Sequence, residues 1–149
     1  PIHAEARITH DGIYLIEMAS RTIGGQCAQS IEYVLGQPLE DLVIQLSCGV
    51  LPQLQNNGKF AAVLMIPIPA EGILKRVEGM TAAQAVEYVR GVEIHIQPGY
   101  ELTPLPRGSS YLGFIFAESP DYDKTLLALK QAHAALTFVV APKWALHQA

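Results

Sequence analysis

Along the first nineteen residues, apolar and polar positions alternate. Ile2, Ala4, Ala6 and Ile8 fall on one side of an extended segment, with His3, Glu5 and Arg7 on the other. Tyr14, Ile16 and Met18 alternate likewise with Leu15, Glu17 and Ala19. A period of two marks half-buried strands, so the pattern predicts a hairpin turning near His10-Asp11-Gly12. Side-chain parity sets the loop. A three-residue loop, with Gly12 in the left-handed conformation, puts Thr9 opposite Ile13 and Glu5 opposite Glu17. A two-residue Asp11-Gly12 turn would instead put Glu17 on the Ile2/Ala4/Ala6/Ile8 face, where a carboxylate is costly. The three-residue loop is therefore expected, with the two carboxylates side by side.

After a polar stretch, Ser20 to Gly25, the period changes. Cys27, Ile31, Val34 and Leu35 recur at helical spacing over Gln26–Leu35, and Gly36 ends the pattern. Pro38 opens a second helix, with Glu40 and Asp41 at its positive end and Leu39, Leu42, Val43 and Leu46 as the expected buried stripe. Gly49 closes it. Leu51 to Lys59, with Pro52 and Asn56-Asn57-Gly58, reads as a connecting loop and domain boundary. Beyond it, Phe60–Ile68 is an apolar run stopped by Pro67 and Pro69, expected as a buried strand, and Ile73–Glu78 as another. Thr81 and Gln84 form a capping box for a helix through Arg90. Val92–Ile96 and Tyr111–Ala117 read as strands, with Tyr100–Pro106 extended between them. Ser119-Pro120 starts a long helix bearing Leu126, Leu129, Lys130, His133 and Leu136 on one side. Thr137–Val140 closes the series as a strand, and Trp144 is expected to pack the last segment. The fold class is α+β, mostly antiparallel sheets with flanking helices.

Composition narrows the functional classes. At 149 residues, half of them apolar and 16% charged, the chain has room for one domain or two small pieces sharing a core. A net charge of −4 argues against a nucleic-acid surface, which needs a basic stripe. No run is long enough for a membrane span, and no signal peptide is recognisable. Cys27 and Cys48 lack metal-ligand spacing and fit buried, reduced thiols in a cytoplasmic protein. Pro1 falls inside a strand pattern with no initiator methionine, the appearance of the middle or end of a longer chain.

The candidate chemistry lies in the hairpin. Two carboxylates ~4 Å apart repel by about 4 kcal/mol at an effective dielectric of ~20. A shared proton, a basic neighbour or a bound cation must offset that. Magnesium suits the composition, since it takes one or two carboxylates together with phosphate oxygens. Arg21, four positions past Glu17, can hold a phosphate or carboxylate with its fork of donors. The plainer reading is that strand carboxylates keep a sheet edge soluble, paired with Arg7. Gly24-Gly25 before a helix can present backbone N–H groups to an anion, or simply make a tight entry turn. His3 shares the acid face and can reach a phosphate or be plain surface. His95, His133 and His10 show no metal spacing. Arg107-Gly108-Ser109-Ser110 reads as a solvated loop.

These residues resemble a known family. A strand glutamate, a glycine turn and Ile16-Glu17-Met18-Ala19-Ser20-Arg21, continuing through Gly24-Gly25 and the next helix, look like the end of the catalytic region of ATP-grasp enzymes. The twelve-residue separation of the acids belongs to the resemblance. Glu5 matches the first magnesium-binding acid, Glu17 the second, and Arg21 the arginine that touches phosphate or acyl-phosphate. The common pattern has asparagine two positions after the second acid. Ala19 stands there instead, which removes a third magnesium ligand and resembles the L-amino-acid ligase branch more than biotin carboxylase. Met65-Ile66-Pro67-Ile68-Pro69, Gly99-Tyr100-Glu101-Leu102 and Gly108 to Phe114 look like the carboxyl-terminal domain of that branch. Val63-Leu64-Met65-Ile66 offers no counterpart of the biotin carboxylase arginine.

The resemblance implies three segments. Residues 1–50 end the ATP-grasp catalytic region, 51–59 link, and 60–149 form an accessory domain like the last domain of biotin carboxylase. It implies a carbon–nitrogen ligase using ATP and Mg²⁺, with small-molecule carboxylate and amine substrates and an acyl-phosphate intermediate. Glu5 and Glu17 would hold the metal, Arg21 would be catalytic, and Gly24 and Gly25 would bind cofactor. The glycine-rich loop and lysines that complete such an ATP site are not in these residues, so an N-terminal ATP-grasp lobe is the expected partner and the piece alone should be inactive. Apolar surface left by that lobe offers a route to self-association. The competing reading is a structural or interaction domain in which the acid pair is unused. A stand-alone metal hydrolase is disfavoured, since no nucleophile–base pair is evident.

Overall fold

The computed structural model describes residues 1–24 and 26–143. Strands β1 (His3–Thr9) and β2 (Gly12–Ala19) form an antiparallel ribbon, followed by helices α1 (Ala28–Leu35) and α2 (Leu39–Ser47). The remainder is β3 (Phe60–Ile66), β4 (Gly72–Glu78), α3 (Met80–Gln84), β5 (Val89–Ile94), β6 (Glu101–Leu102), β7 (Gly113–Ser119), α4 (Tyr122–Ala135) and β8 (Thr137–Ala141). Two three-stranded antiparallel sheets result, ordered β3-β7-β5 and β6-β4-β8. The α+β expectation holds.

The central strand organises the second half. Every residue of β7 is buried, because α4 covers one face of its sheet and α1 reaches the other. A strand covered on both faces reads as a continuous apolar run rather than an alternating one. Ile115 and Ala117 point into a core shared with Ile66, Leu74, Leu102, Leu112 and the α4 residues Ala128, Leu129 and Ala132. Phe116, fully buried, stacks on Phe114 on the opposite face and meets the ring of Tyr33 edge-on.

At the entry to α4, Asp121 caps the helix by accepting from Lys124 N–H at 2.9 Å. Thr125, one turn on and 2% exposed, places its hydroxyl 2.9 Å from Ser119 Oγ, 3.0 Å from Asp121 O and 3.2 Å from Phe60 O. Replacing Thr125 by valine keeps the shape and removes the shared hydroxyl. We expect a loss of about 1–2 kcal/mol in urea unfolding. A change indistinguishable from zero would mean this buried network contributes nothing to stability.

Several expectations are corrected. The hairpin turns on two residues, His10-Asp11, with Thr9 paired to Gly12, not on three. A bulge at Ile16 then adds the missing residue, so that Ala6 faces Leu15 while Glu5 faces Glu17. The predicted partnership of the acids is therefore reached by another route. The bulge also keeps Ile13, Leu15 and Met18 together on the apolar face.

The helix expected through Arg90 stops at Gln84, and its N-cap is Gly79 with φ of 84°, so that Thr81 lies inside the helix and does not cap it. Arg90 belongs to β5, entered through Tyr88 at φ of 71°. On α4 the buried line is Thr125, Ala128, Leu129 and Ala132, not the larger set that ran through Leu126 and Lys130. Small residues let the helix approach the sheet closely. Of the α2 stripe only Leu42 is buried, and Leu46 is 52% exposed. Cys27 is half-buried and Cys48 exposed, contrary to the buried thiols expected. His95 lies just beyond β5 instead of within a strand. Trp144 lies outside the described residues.

Candidate functional site

The ribbon places His3, Glu5 and Arg7 on one face, opposite Ala19, Glu17 and Tyr14. Glu5 and Glu17 are direct cross-strand partners and both are exposed to solvent. Arg21, just past β2, sets Nη2 3.8 Å from Glu17 Oε1, and Nη1 donates to Thr22 O at 3.2 Å. With half of its side chain exposed, Arg21 keeps most of its five donors available. Gly24 O accepts from Cys27 N at 3.3 Å as the chain turns into α1, and the space beside Gly24 Cα is open. Gly25 lies outside the described residues. The structure thus brings Glu5, Glu17 and Arg21 together at one end of the ribbon, with Gly24 on the connection to α1.

As a donor set this is incomplete by itself. Among the described residues no group of three or more histidine, cysteine or acidic side chains is arranged to hold a metal. Two adjacent carboxylates fit magnesium only where other oxygens finish the shell, as phosphates and waters do. Ala19, opposite His3, supplies no oxygen from its side chain. His3 is half-buried, and its Nδ1 is a buried atom with no hydrogen-bond partner. It borders a largely apolar cavity of about 450 Å³ formed with Ile23, Ile31, Leu42 and Val43.

The other candidates separate from this site. Arg107 pairs with Glu71 at 2.5 Å on the surface of the second half. His95 pairs with Glu93 at 3.0 Å, His10 with its neighbour Asp11 at 3.0 Å, and the His133 ring lies tilted against Phe138, 6.2 Å between centroids. The sequence reading missed a buried carboxylate, Glu118, which binds Lys59 and Arg90. The signal was present: a charged residue inside Gly113-Phe114-Ile115-Phe116-Ala117-Glu118-Ser119, a run otherwise fit for burial on both faces. Beside it, burial raises the pKa of the Tyr33 hydroxyl, while the Arg90 charge pulls it down in part.

A crystal structure of L-amino acid ligase from Bacillus licheniformis superposes on 94% of this chain and 36% of its own, with a TM-score of 0.77 and 22% identity. Phosphoribosylglycinamide synthetase from Anaerococcus prevotii gives 0.75 and 16%, over 94% of this chain and 37% of that one. The biotin carboxylase domain of Hydrogenobacter thermophilus 2-oxoglutarate carboxylase, in complex with MgADP, ADP and bicarbonate, gives 0.59 and 19%, over 92% and 31%. At these identities the likeness establishes the fold and does not discriminate between enzymes. The chain spans about a third of the length of each of these structures. No curated relative matches. The model of one family, described as L-amino acid ligase C-terminal domain 2, matches residues 64–141, slightly more than half of the sequence. That match covers the end of β3 and all of β4 through β8, the β7-centred core included, and it is on this evidence that the chain belongs to the L-amino acid ligase C-terminal domain 2 family.

Proposed function

We propose that the chain is the carboxyl-terminal part of an ATP-dependent carboxylate–amine ligase, with residues 1–50 completing the catalytic region and 60–149 forming the accessory domain. The observation that carries this reading is the partnership of Glu5 and Glu17 across the ribbon, with Arg21 at its end, in a chain of this family. Such a ligase would phosphorylate a carboxylate with ATP and pass the acyl group to an amine. Bound Mg²⁺ would supply charge neutralisation between the terminal phosphates. Glu5 and Glu17 would orient the metal–nucleotide, and Arg21 would stabilise the transferred phosphoryl oxygens. Gly24 and Gly25 would offer backbone N–H groups to an anion. Phosphoryl transfer gains mostly from such alignment and electrostatics.

Most of an ATP pocket must then come from another lobe. The apolar face of the ribbon supports that: Ile8, Ile13, Leu15 and Met18 are each more than 60% exposed. A surface this apolar marks an interface. No helix among the described residues is long and apolar enough to cross a membrane. We place the protein in the cytoplasm, where an exposed Cys48 stays reduced.

Calorimetric titration with Mg²⁺ and a non-hydrolysable ATP analogue tests this reading, on the chain joined to its ATP-binding lobe. Glu5→Gln removes one of the charges facing the metal and is expected to weaken metal–nucleotide binding roughly tenfold or more. Equal affinity in both forms would defeat the assignment and favour a structural domain. On its own the chain should bind the nucleotide weakly and turn over nothing.

A further inference from the structure

The two halves of the chain meet at α1, which lies on β3 and β7. The polar part of that junction is built on Glu118, whose side chain is only 5% exposed. One carboxylate oxygen lies 2.7 Å from Lys59 Nζ and the other 3.2 Å from Arg90 Nε. Lys59 is the residue before β3, and Arg90 occupies the register shift of β5 between Val89 and Gly91. A bulge there re-aims the side chain. The Arg90 guanidinium carbon stands 5.7 Å above the ring of Tyr33 on α1, and that ring meets Phe116 edge-on at 6.3 Å. From the other side, Asn57 donates its backbone N–H to Val34 O at 3.1 Å and its side-chain amide to Tyr33 O at 2.7 Å. The last turn of α1 is gripped from both directions.

Charge rules out an anion pocket here. Glu118 faces both cations, and Glu32 and Glu93 also lie close enough to act on Tyr33. The cluster has no surplus positive charge. Its geometry instead joins elements distant in sequence to the short helix that follows the Arg21–Gly24 segment, and Cys27 N–H, at the N-cap of α1, bonds back to Gly24 O at 3.3 Å. We propose that Tyr33, Arg90, Glu118 and Lys59 form a positioning lock that holds α1, and through it Arg21 and Gly24, in a fixed orientation against the sheet of the C-terminal domain. The lock rests on the proposed function only for its catalytic meaning. A site misplaced by ~1 Å can lose about a hundredfold in rate, so a remote lock of this kind matters to turnover.

Amide hydrogen exchange on this chain tests the lock directly. Tyr33→Leu removes the ring from beneath Arg90 but leaves every ion pair, and Glu118→Gln removes the shared charge. Both are expected to speed exchange at Ser30 and through Ile31–Gly36 roughly tenfold, while the β7 and α4 amides hold their rates. Glu71→Gln, which breaks the exposed pair with Arg107, should leave α1 unchanged. Uniform acceleration across β7 and α4 in both variants would make the cluster a general stabiliser and overturn the proposal, as would an unaltered α1. In the chain joined to its ATP-binding lobe, Tyr33→Leu should lower kcat with KM for ATP preserved, and Tyr33→Phe should restore it. An α1 that loosens with kcat unchanged overturns the positioning role. If Arg21→Ala also turns over normally, it is the ligase reading that has failed, and the exchange result still judges the lock.

Discussion

Replacing Arg21 with alanine, in the chain joined to the ATP-binding lobe proposed for it, is expected to lower kcat by about 10²–10³-fold while KM for ATP moves only slightly. The size follows from what such a group does: losing one preorganised donor aimed at developing charge costs about that much. The split follows from when it acts. An interaction made mainly in the transition state changes kcat more than substrate affinity. In the structure Arg21 is well suited to this, being held at the backbone by one bond to Thr22 O and only loosely by Glu17 at 3.8 Å. Arg21→Lys keeps the charge and loses the planar fork, so it should recover only part of the rate. Steady-state measurement of ADP release settles the matter. An alanine variant with normal kcat would remove Arg21 from the chemistry.

The pairing of the acids was legible in the sequence because they lie on one short hairpin, where strand parity and separation decide which side chains share a face. Even there the turn was misread. Parity cannot distinguish a three-residue loop from a two-residue loop followed by a bulge, since each shifts the register by the same one residue. Packing chose between them: the bulge at Ile16 lets Ile13, Leu15 and Met18 line one face. Strand segments in the second half were also legible, because β3 and β7 are continuous apolar runs between turn residues.

Failures arose where long-range contact overrides local signal. The Thr81/Gln84 pair looked like a cap, but Gly79 occupies the cap and the chain reverses at Tyr88 to bring Arg90 into the sheet. Nothing near Arg90 announces that its partner is Glu118, twenty-eight residues on. On α4 the buried line is Thr125, Ala128, Leu129 and Ala132, three of them small enough to let the helix lie close to the sheet. A scan for large apolar residues at helical spacing finds the buried Leu129 and Leu136 but passes over Thr125, Ala128 and Ala132.

Gly79→Ala is the substitution expected to harm stability most, and its cost has two separable parts. Gly79 has φ of +84°, a conformation that strains any residue with a Cβ by about 1–2 kcal/mol. That Cβ would also fall 1.9 Å from Ala135 O, a backbone atom at the end of α4, so the turn before α3 or the α4–β8 junction must move. Moving a packed backbone adds about 1–3 kcal/mol. The total, about 2–5 kcal/mol, is comparable to much of the stability of a small domain. Gly58→Ala separates the two parts, since Gly58 has φ of +74° with nothing within 4 Å of its would-be Cβ. It should show the conformational cost alone. Urea unfolding followed by circular dichroism measures both, with the slope checked to ensure that the unfolded state has not changed. If the two variants lose equal stability, Ala135 does not crowd Gly79, and the close approach of the two turns that fixes α4 over the sheet is absent.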